Sequence, residues 1–233
     1  MVARLARTRD ENAAVTRSAK CRDVAADRAA HGARHARSAE NPAASRPTPL
    51  SIRSAERRRW AADVTRPGVT ALVLHGMGGI GKSTLATQIA SRVSRLGPER
   101  VVTVLSGEMP AARLVAEAAE ADLVVLDDFD DYLAGPERPR TVRDPALAAL
   151  LASWTGKLLI TCDTPFSLPG AAPGRFVFRR LGPLTRSGAG ELSLSLPALR
   201  QLAESQRELA WRLTGGHPRA IRPSRGDASR WVP

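Results

Sequence analysis

The sequence predicts an α/β layered domain built on a mostly parallel sheet, and three observations carry that expectation. Short apolar, β-branched runs recur at Val69–Leu74, Val101–Leu105, Leu123–Leu126, Leu158–Ile160 and Phe176–Phe178. They are continuous rather than alternating, as strands buried on both faces of a parallel sheet must be. Helical stretches separate them, and strand–helix alternation implies right-handed crossovers. After Leu184 the strands cease.

The elements follow in order. Ser83–Leu96 places Leu85, Ile89 and Val93 on one stripe and stops at Gly97-Pro98, a helix with an apolar face and a breaker. Ala111–Ala121 and Pro145–Trp154 read as helices too, and Leu196–Leu213 reads as helical up to Gly215-Gly216. There is no internal repeat. The domain boundaries expected are a tail at 1–49, a nucleotide-binding domain at 50–180, a partial helical lid at 181–221 and a polar C-terminal tail at 222–233.

Composition narrows the class. The 233 residues are 43% hydrophobic and 25% charged, which is ordinary globular protein over part of the chain. Cys21 and Cys162 are too few for a disulfide framework or a four-ligand zinc site. No apolar run approaches the ~20 residues of a membrane span. Secreted mini-protein, membrane protein and zinc ribbon are excluded, and a cytoplasmic protein without membrane contact is expected.

The net charge of +12 is uneven: residues 1–60 hold 14 basic and 6 acidic side chains. Residues 1–49 have almost no large apolar residue after Leu5 and contain Pro42, Pro47 and Pro49. Such a segment buries too little surface to offset its ordering entropy, so a disordered tail is expected. A nucleic-acid-binding arm is less favoured, because acids are interspersed and no aromatic is there to stack a base. A transit peptide fits the Arg/Ser/Ala richness but not Asp10, Glu11, Asp23 and Asp27.

The strongest chemical signal is Gly76-Met77-Gly78-Gly79-Ile80-Gly81-Lys82-Ser83-Thr84, which satisfies G-x-x-x-x-G-K-[ST]. It follows an expected strand and opens an expected helix, the context that phosphate binding requires. Glycines let the backbone fold around an anion so that N–H groups converge on it, and the helix N-terminus adds partial positive charge. Lys82, one of three lysines with Lys20 and Lys157, would reach the β- and γ-phosphates, and Ser83 would ligate Mg²⁺. The fold expected is a P-loop NTPase three-layer sandwich.

The second signal is Leu123–Leu126 followed by Asp127-Asp128-Phe129. An acid at the carboxyl end of a buried strand faces the crevice where open α/β sheets bind ligands. Asp127 would hold Mg²⁺ with Ser83, and Asp128 is placed to orient or deprotonate an attacking water, or else is a solvated acid. Asp130 and Asp131 read as a solvated loop. Cys162 reads as a small core filler, and His75 and His217 as local packing or backbone contacts.

Together these segments resemble the STAND class of signal-transducing P-loop ATPases, which includes NB-ARC domains. The phosphate loop and Leu123–Asp131 (LVVLDDFDD) look like its two nucleotide motifs. Val101–Met109 is similar to the strand between them, and Lys157–Pro169 to its sensor strand. Leu181-Gly182-Pro183-Leu184 matches the x-x-P-L step into the lid. Gly215-Gly216-His217-Pro218-Arg219-Ala220 looks like the G-G-x-P motif, so the resemblance implies that Pro218 packs near the adenine.

Three departures qualify it. Members commonly carry an arginine at the end of the sensor strand, where this chain has Asp163 after Thr161-Cys162. That reverses a charge, and Arg175 or Arg179 would have to compensate. Residues 50–56 match the adenosine-touching V-G-R-x-x-E element only at Arg53 and Glu56, with Ile52 where glycine is expected. The lid is short, so the chain reads as a truncated member.

The resemblance implies an ATP- or ADP-binding, Mg²⁺-dependent signalling switch with slow or absent hydrolysis, and protein partners or self-association. Adenine is favoured because no N/T-K-x-D element is present to select guanine. Two other readings stand beside it. One is a non-catalytic interaction protein holding ADP structurally; the other is a nucleic-acid-binding protein using its basic tail.

Overall fold

The computed structural model describes residues 52–96, 102–106, 110–118, 121–135 and 139–222. The expected tail at 1–49, the Gly97-Pro98 helix stop, Cys21 and the polar segment from 223 onward lie outside the described residues.

The chain opens with helix α1 (Ser54–Thr65), then strand β1 (Ala71–His75), helix α2 (Lys82–Ser94), β2 (Val102–Ser106), α3 (Ala111–Ala118) and β3 (Leu123–Asp127). A 3₁₀ turn at Phe129–Tyr132 leads to β4 (Leu133–Ala134), β5 (Arg140–Val142), α4 (Pro145–Ser153), β6 (Lys157–Cys162), β7 (Phe166–Ser167) and β8 (Phe176–Arg180). Four helices complete the described chain: α5 (Arg186–Ser195), α6 (Pro197–Arg200), α7 (Glu204–Thr214) and α8 (Pro218–Ile221).

The main sheet is parallel throughout, in the order β2-β3-β6-β1-β8. Leu72 of β1 lies level with Leu159 of β6 on one side and Val177 of β8 on the other. The period of two in strand side chains sends alternate residues to opposite faces. Ala71, Val73, Val124, Leu126, Leu158 and Ile160 pack with Leu114 of α3 and Leu147 and Leu151 of α4. Leu72, Leu74, Leu123, Val125 and Leu159 pack on the other face, against Trp60 and Val64 of α1 and Leu85, Ile89 and Val93 of α2. Full burial of each large side chain contributes about 2 kcal/mol, so the two helical layers are held mainly by these strands.

Every expected strand is present to within two residues at each end among the described positions. Three features differ from the sequence reading. Helix α1 was not apparent, because Arg57, Arg58 and Arg59 interrupt the apolar spacing of Ala61, Val64 and Trp60. A second sheet, β4-β5-β7, has strands of two or three residues, too short to show a period. The Leu196–Leu213 helix is broken into α6 and α7. Pro197 starts the first, and the Ala203 N–H donates to the Gln206 side chain (2.9 Å), which starts the second.

Ile52 reaches away from α1 into a third cluster with Leu184, Ala189, Leu192, Leu199 and Ile221. The segment ahead of the first strand is thereby tied to the helices at the chain's other end. Among the described residues, no helix is long and apolar enough to cross a membrane.

Candidate functional site

Strand β1 ends at His75, and the glycine-rich loop Gly76–Gly81 turns directly into α2. Ile80, 3% exposed, anchors the loop in the core, and its N–H donates to the Met77 carbonyl (3.2 Å). The Gly76 N–H donates to Cys162 of β6, and the Leu181 N–H donates to His75, so both neighbouring strands clamp the start of the loop. Gly76 has φ 153°, and a Cβ there would lie 2.5 Å from the Leu181 carbonyl oxygen. Only glycine fits. Ser83 and Thr84 are exposed in the first turn of α2.

Lys82 turns back over this loop. It is only 5% exposed, and its Nζ donates to the Gly76 carbonyl at 2.9 Å, with a longer contact to Met77 at 3.5 Å. Its third partner is Asp163 Oδ1, at 2.5 Å. The acid that stands where the resemblance leads one to expect an arginine is therefore paired with the lysine of the glycine-rich loop.

At the end of β3, Asp127 is half-buried and its Oδ1 accepts from the Thr161 hydroxyl (2.6 Å). That hydroxyl accepts in turn from the Asp128 N–H (3.0 Å), so buried Thr161 fixes both acids. Asp128 has φ 54°, a left-handed conformation that Asp tolerates better than most residues. Partial desolvation, and then the Asp127 charge beside it, push its carboxyl above the usual range. Thr161 was missed from sequence because it reads as one more β-branched strand residue.

Asp130 is not the solvated acid expected. Its Oδ2 accepts from the Asp163 N–H (2.6 Å), and its Oδ1 lies 3.3 Å from Arg140, which also donates to the Leu133 carbonyl (2.8 Å). The small sheet thus braces the end of β6. Asp131 is exposed, as expected.

Neither arginine named as a compensating charge is available. Arg175 sits before β8, at the opposite end of the strands, where it bonds to Thr70 Oγ1 (2.8 Å) and to the carbonyls of Ala152 and Trp154. Arg179 points to α1, where it pairs with Asp63 (2.9 Å). Cys162 is wholly buried and its thiol is pushed up to about 12, chiefly by that burial, which fits a core filler. Partial burial, and then the Arg180 charge, push the His75 imidazole below its ordinary pKa.

The last helices close over the loop. His217 Nε2 donates to the Gly78 carbonyl (3.1 Å), and the Arg219 stem crosses Gly79, where a Cβ would come within 2.7 Å of Cδ. A cleft beside the loop is lined by Ile52, Arg53, Ile80, Thr84, Leu184, Leu192 and Pro218. Arg53 donates to the Gly182 carbonyl (2.5 Å) and reaches Ile80 (3.4 Å), joining the segment before α1, the phosphate loop and the lid. Pro218 accordingly lies beside the phosphate loop.

A Ser hydroxyl and a carboxylate are hard oxygen donors suited to Mg²⁺, and Asp127 is held by Thr161, so Ser83 and Asp127 fit such an ion. Among the described residues no cluster of three or more His, Cys, Asp or Glu is arranged to hold a metal by protein ligands alone. Mg²⁺ commonly keeps waters and takes phosphate oxygens, so the small protein donor set suits it.

No sequence family matches the chain, and no curated protein matches it. Solved structures do. The Aeropyrum pernix ORC2 protein, in ADPNP–ADP complexes, superposes with a TM-score of 0.52 at 16% identity, over 77% of this chain and 62% of its own. A point variant of Thermotoga maritima RuvB gives 0.50 at 18% identity, over 73% of this chain and 58% of its own. A STAND protein with a tetratricopeptide repeat sensor from Pyrococcus horikoshii gives 0.43 at 16% identity, over 69% and 28%. The chain spans less than two thirds of each of these. What the likeness shows is the fold, an α/β domain on a parallel five-stranded sheet with helices on both faces, as the sequence predicts.

Proposed function

We propose that the chain is an adenine-nucleotide switch module of the STAND type, binding ATP or ADP with Mg²⁺ and hydrolysing slowly or not at all. The observation that carries this reading is the cleft shared by loop and lid. Apolar Ile52, Leu184, Leu192 and Pro218 form a surface suited to a base, next to a loop whose N–H groups and Lys82 suit phosphates. Lys82 would neutralise phosphate charge, Ser83 and Asp127 would hold Mg²⁺, and Asp128 would position water. The bound ion would supply charge neutralisation between the phosphates. Slow turnover follows from charge: stabilising the transition state needs cations at the γ-phosphate, and Asp163 stands where an arginine would serve.

A switch also needs an element that responds to the ligand. His217 and Arg219 touch the loop at Gly78 and Gly79, so filling the loop would bear directly on the lid. Protein partners or self-association would read that change.

Calorimetry of wild type and Lys82→Ala with ATP, ADP and GTP tests the reading. A charge-assisted phosphate contact is worth about 1.5–3 kcal/mol, so Lys82→Ala should weaken adenine nucleotides roughly 10- to 100-fold. Equal affinities, or GTP preferred over ATP, would refute it.

A further inference from the structure

We infer that Asp163 stands in for the γ-phosphate on Lys82, so that the site takes a nucleoside diphosphate and disfavours a triphosphate. The inference rests on the nucleotide-binding reading and adds to it the class of ligand and the residue that selects it.

A lysine ammonium has three N–H donors and no acceptor. In Lys82 they face the Gly76 and Met77 carbonyls and Asp163 Oδ1. Two donors are therefore firmly engaged without a ligand, and the third makes only the long 3.5 Å contact to Met77. A phosphate oxygen can take the weakly held donor, but a second one must displace a firm partner, and among the described residues the charged partner of Lys82 is Asp163.

Displacing it is resisted by its setting. The Asp163 main chain follows Cys162, which is wholly buried, and its N–H is fixed on Asp130. Asp130 is tethered to Arg140, which is itself held by the Leu133 carbonyl. The carboxylate leans over the loop mouth: its Oδ2 lies 3.7 Å from where a Cβ on Gly78 would stand. Half exposed at 53%, it can still rotate, but rotation strips the buried lysine of its counter-charge.

The surroundings add to the bias. Asp127, Asp128 and Asp130 gather at the same strand ends, while Arg140 is already committed to Asp130. A γ-phosphate would bring more negative charge to this group, and like charges a few ångströms apart repel strongly where water is scarce. A diphosphate avoids the conflict. Its β-phosphate rests on the loop N–H groups and Lys82, and Asp163 keeps the γ side of the ammonium.

The test is calorimetric titration of the full chain with ADP and ATP, each with Mg²⁺ and with EDTA, for wild type, Asp163→Asn and Asp163→Ser. Wild type should bind ADP at least about tenfold tighter than ATP, a difference of about 1.4 kcal/mol. Both variants should bring the two affinities within about threefold, through a gain for ATP rather than a loss for ADP. Equal affinities in wild type, or a gap that survives both variants, would overturn the inference and leave nucleotide binding intact. A wild type that binds ATP better only with Mg²⁺, and loses that preference in Asp163→Asn, would make Asp163 a metal ligand and equally overturn it. Wild type binding neither nucleotide would remove the functional reading and this inference together.

Discussion

Removing the Asp63 carboxylate should unfasten the first helix from the sheet. Asp63 is 2% exposed on α1, and its Oδ2 accepts from Arg179 Nε (3.0 Å) and Nη2 (2.9 Å) of β8. Arg66 reaches the other oxygen at 2.5 Å, but its side chain is 56% exposed, so water readily replaces that contact. Breaking a buried pair by deleting one partner costs roughly 3–5 kcal/mol, since the other charge is stranded. Arg179 is 30% exposed and can be partly rehydrated, which brings the expectation for Asp63→Ala down to about 2–3 kcal/mol. In a folded body of this size that is a fall in thermal midpoint of roughly 5–10 °C. Helix α1 also positions Arg53 between Gly182 and Ile80, so nucleotide affinity should fall with stability. Urea unfolding followed by circular dichroism measures the first effect, and calorimetry the second. Asp63→Leu combined with Arg179→Met should recover most of the loss, because no charge is then left buried. A single Asp63→Ala within about 0.5 kcal/mol of wild type would show that desolvation cancels the pair, and would refute the reasoning.

Two further perturbations test the site's backbone and charge. Gly76→Ala should destabilise by about 1–3 kcal/mol and weaken phosphate binding, because the new methyl meets the Leu181 carbonyl at 2.5 Å and the left-handed φ disfavours any side chain; unchanged stability would mean that the strand-to-lid connection yields freely. Asp128→Asn should raise the thermal midpoint slightly at neutral pH, by less than about 1 kcal/mol given its exposure. The sign follows from its raised folded-state pKa: the folded state binds the proton more tightly, so stability is full below the ordinary carboxylate range near pH 4 and is lost as pH rises through the raised value. The gain should therefore vanish on acidification, and a gain that is constant with pH would trace to backbone relief rather than to charge.

The main sheet was legible because its inner strands β1, β3 and β6 are buried on both faces and carry unbroken apolar runs, as in Leu123–Leu126 and Leu158–Ile160. The placement of the glycine-rich loop between β1 and α2 was legible because G-x-x-x-x-G-K-[ST] has a fixed spacing that breaks the apolar run before a helical one begins. Helix α1 was hidden, since it buries Trp60, Ala61 and Val64 beneath a surface of arginines and spends one buried position on Asp63. The small sheet was hidden by its brevity. The roles of Asp130, Thr161 and Asp163 depend on partners 33 or more positions away for Thr161 and Asp163, and on Arg140 across a turn for Asp130, none of which a local pattern encodes. A sequence shows that Asp163 reverses a charge; only the fold shows that the charge falls on Lys82.

On the proposed reading, that placement distinguishes two ways in which turnover would be slow. A site can fail because it holds the nucleotide poorly, or because it holds it well but gives the transition state no extra stabilisation. Here the elements that would serve binding are present: the glycine loop clamped by β6 and β8, the helix N-terminus, and the apolar cleft against Pro218. On that reading the obstacle lies on the γ side, where Asp163, Asp128 and Asp127 meet and Arg175 and Arg179 are committed elsewhere. Charge that develops on a departing phosphoryl group would thus find carboxylates where donors are needed. An arginine brought by a second copy or a partner would have to pair with Asp163 before it could serve the phosphate, and in doing so it would free Lys82. One incoming cation would therefore change both the ligand preference and the chemistry of the site, which is what a switch requires of a single contact.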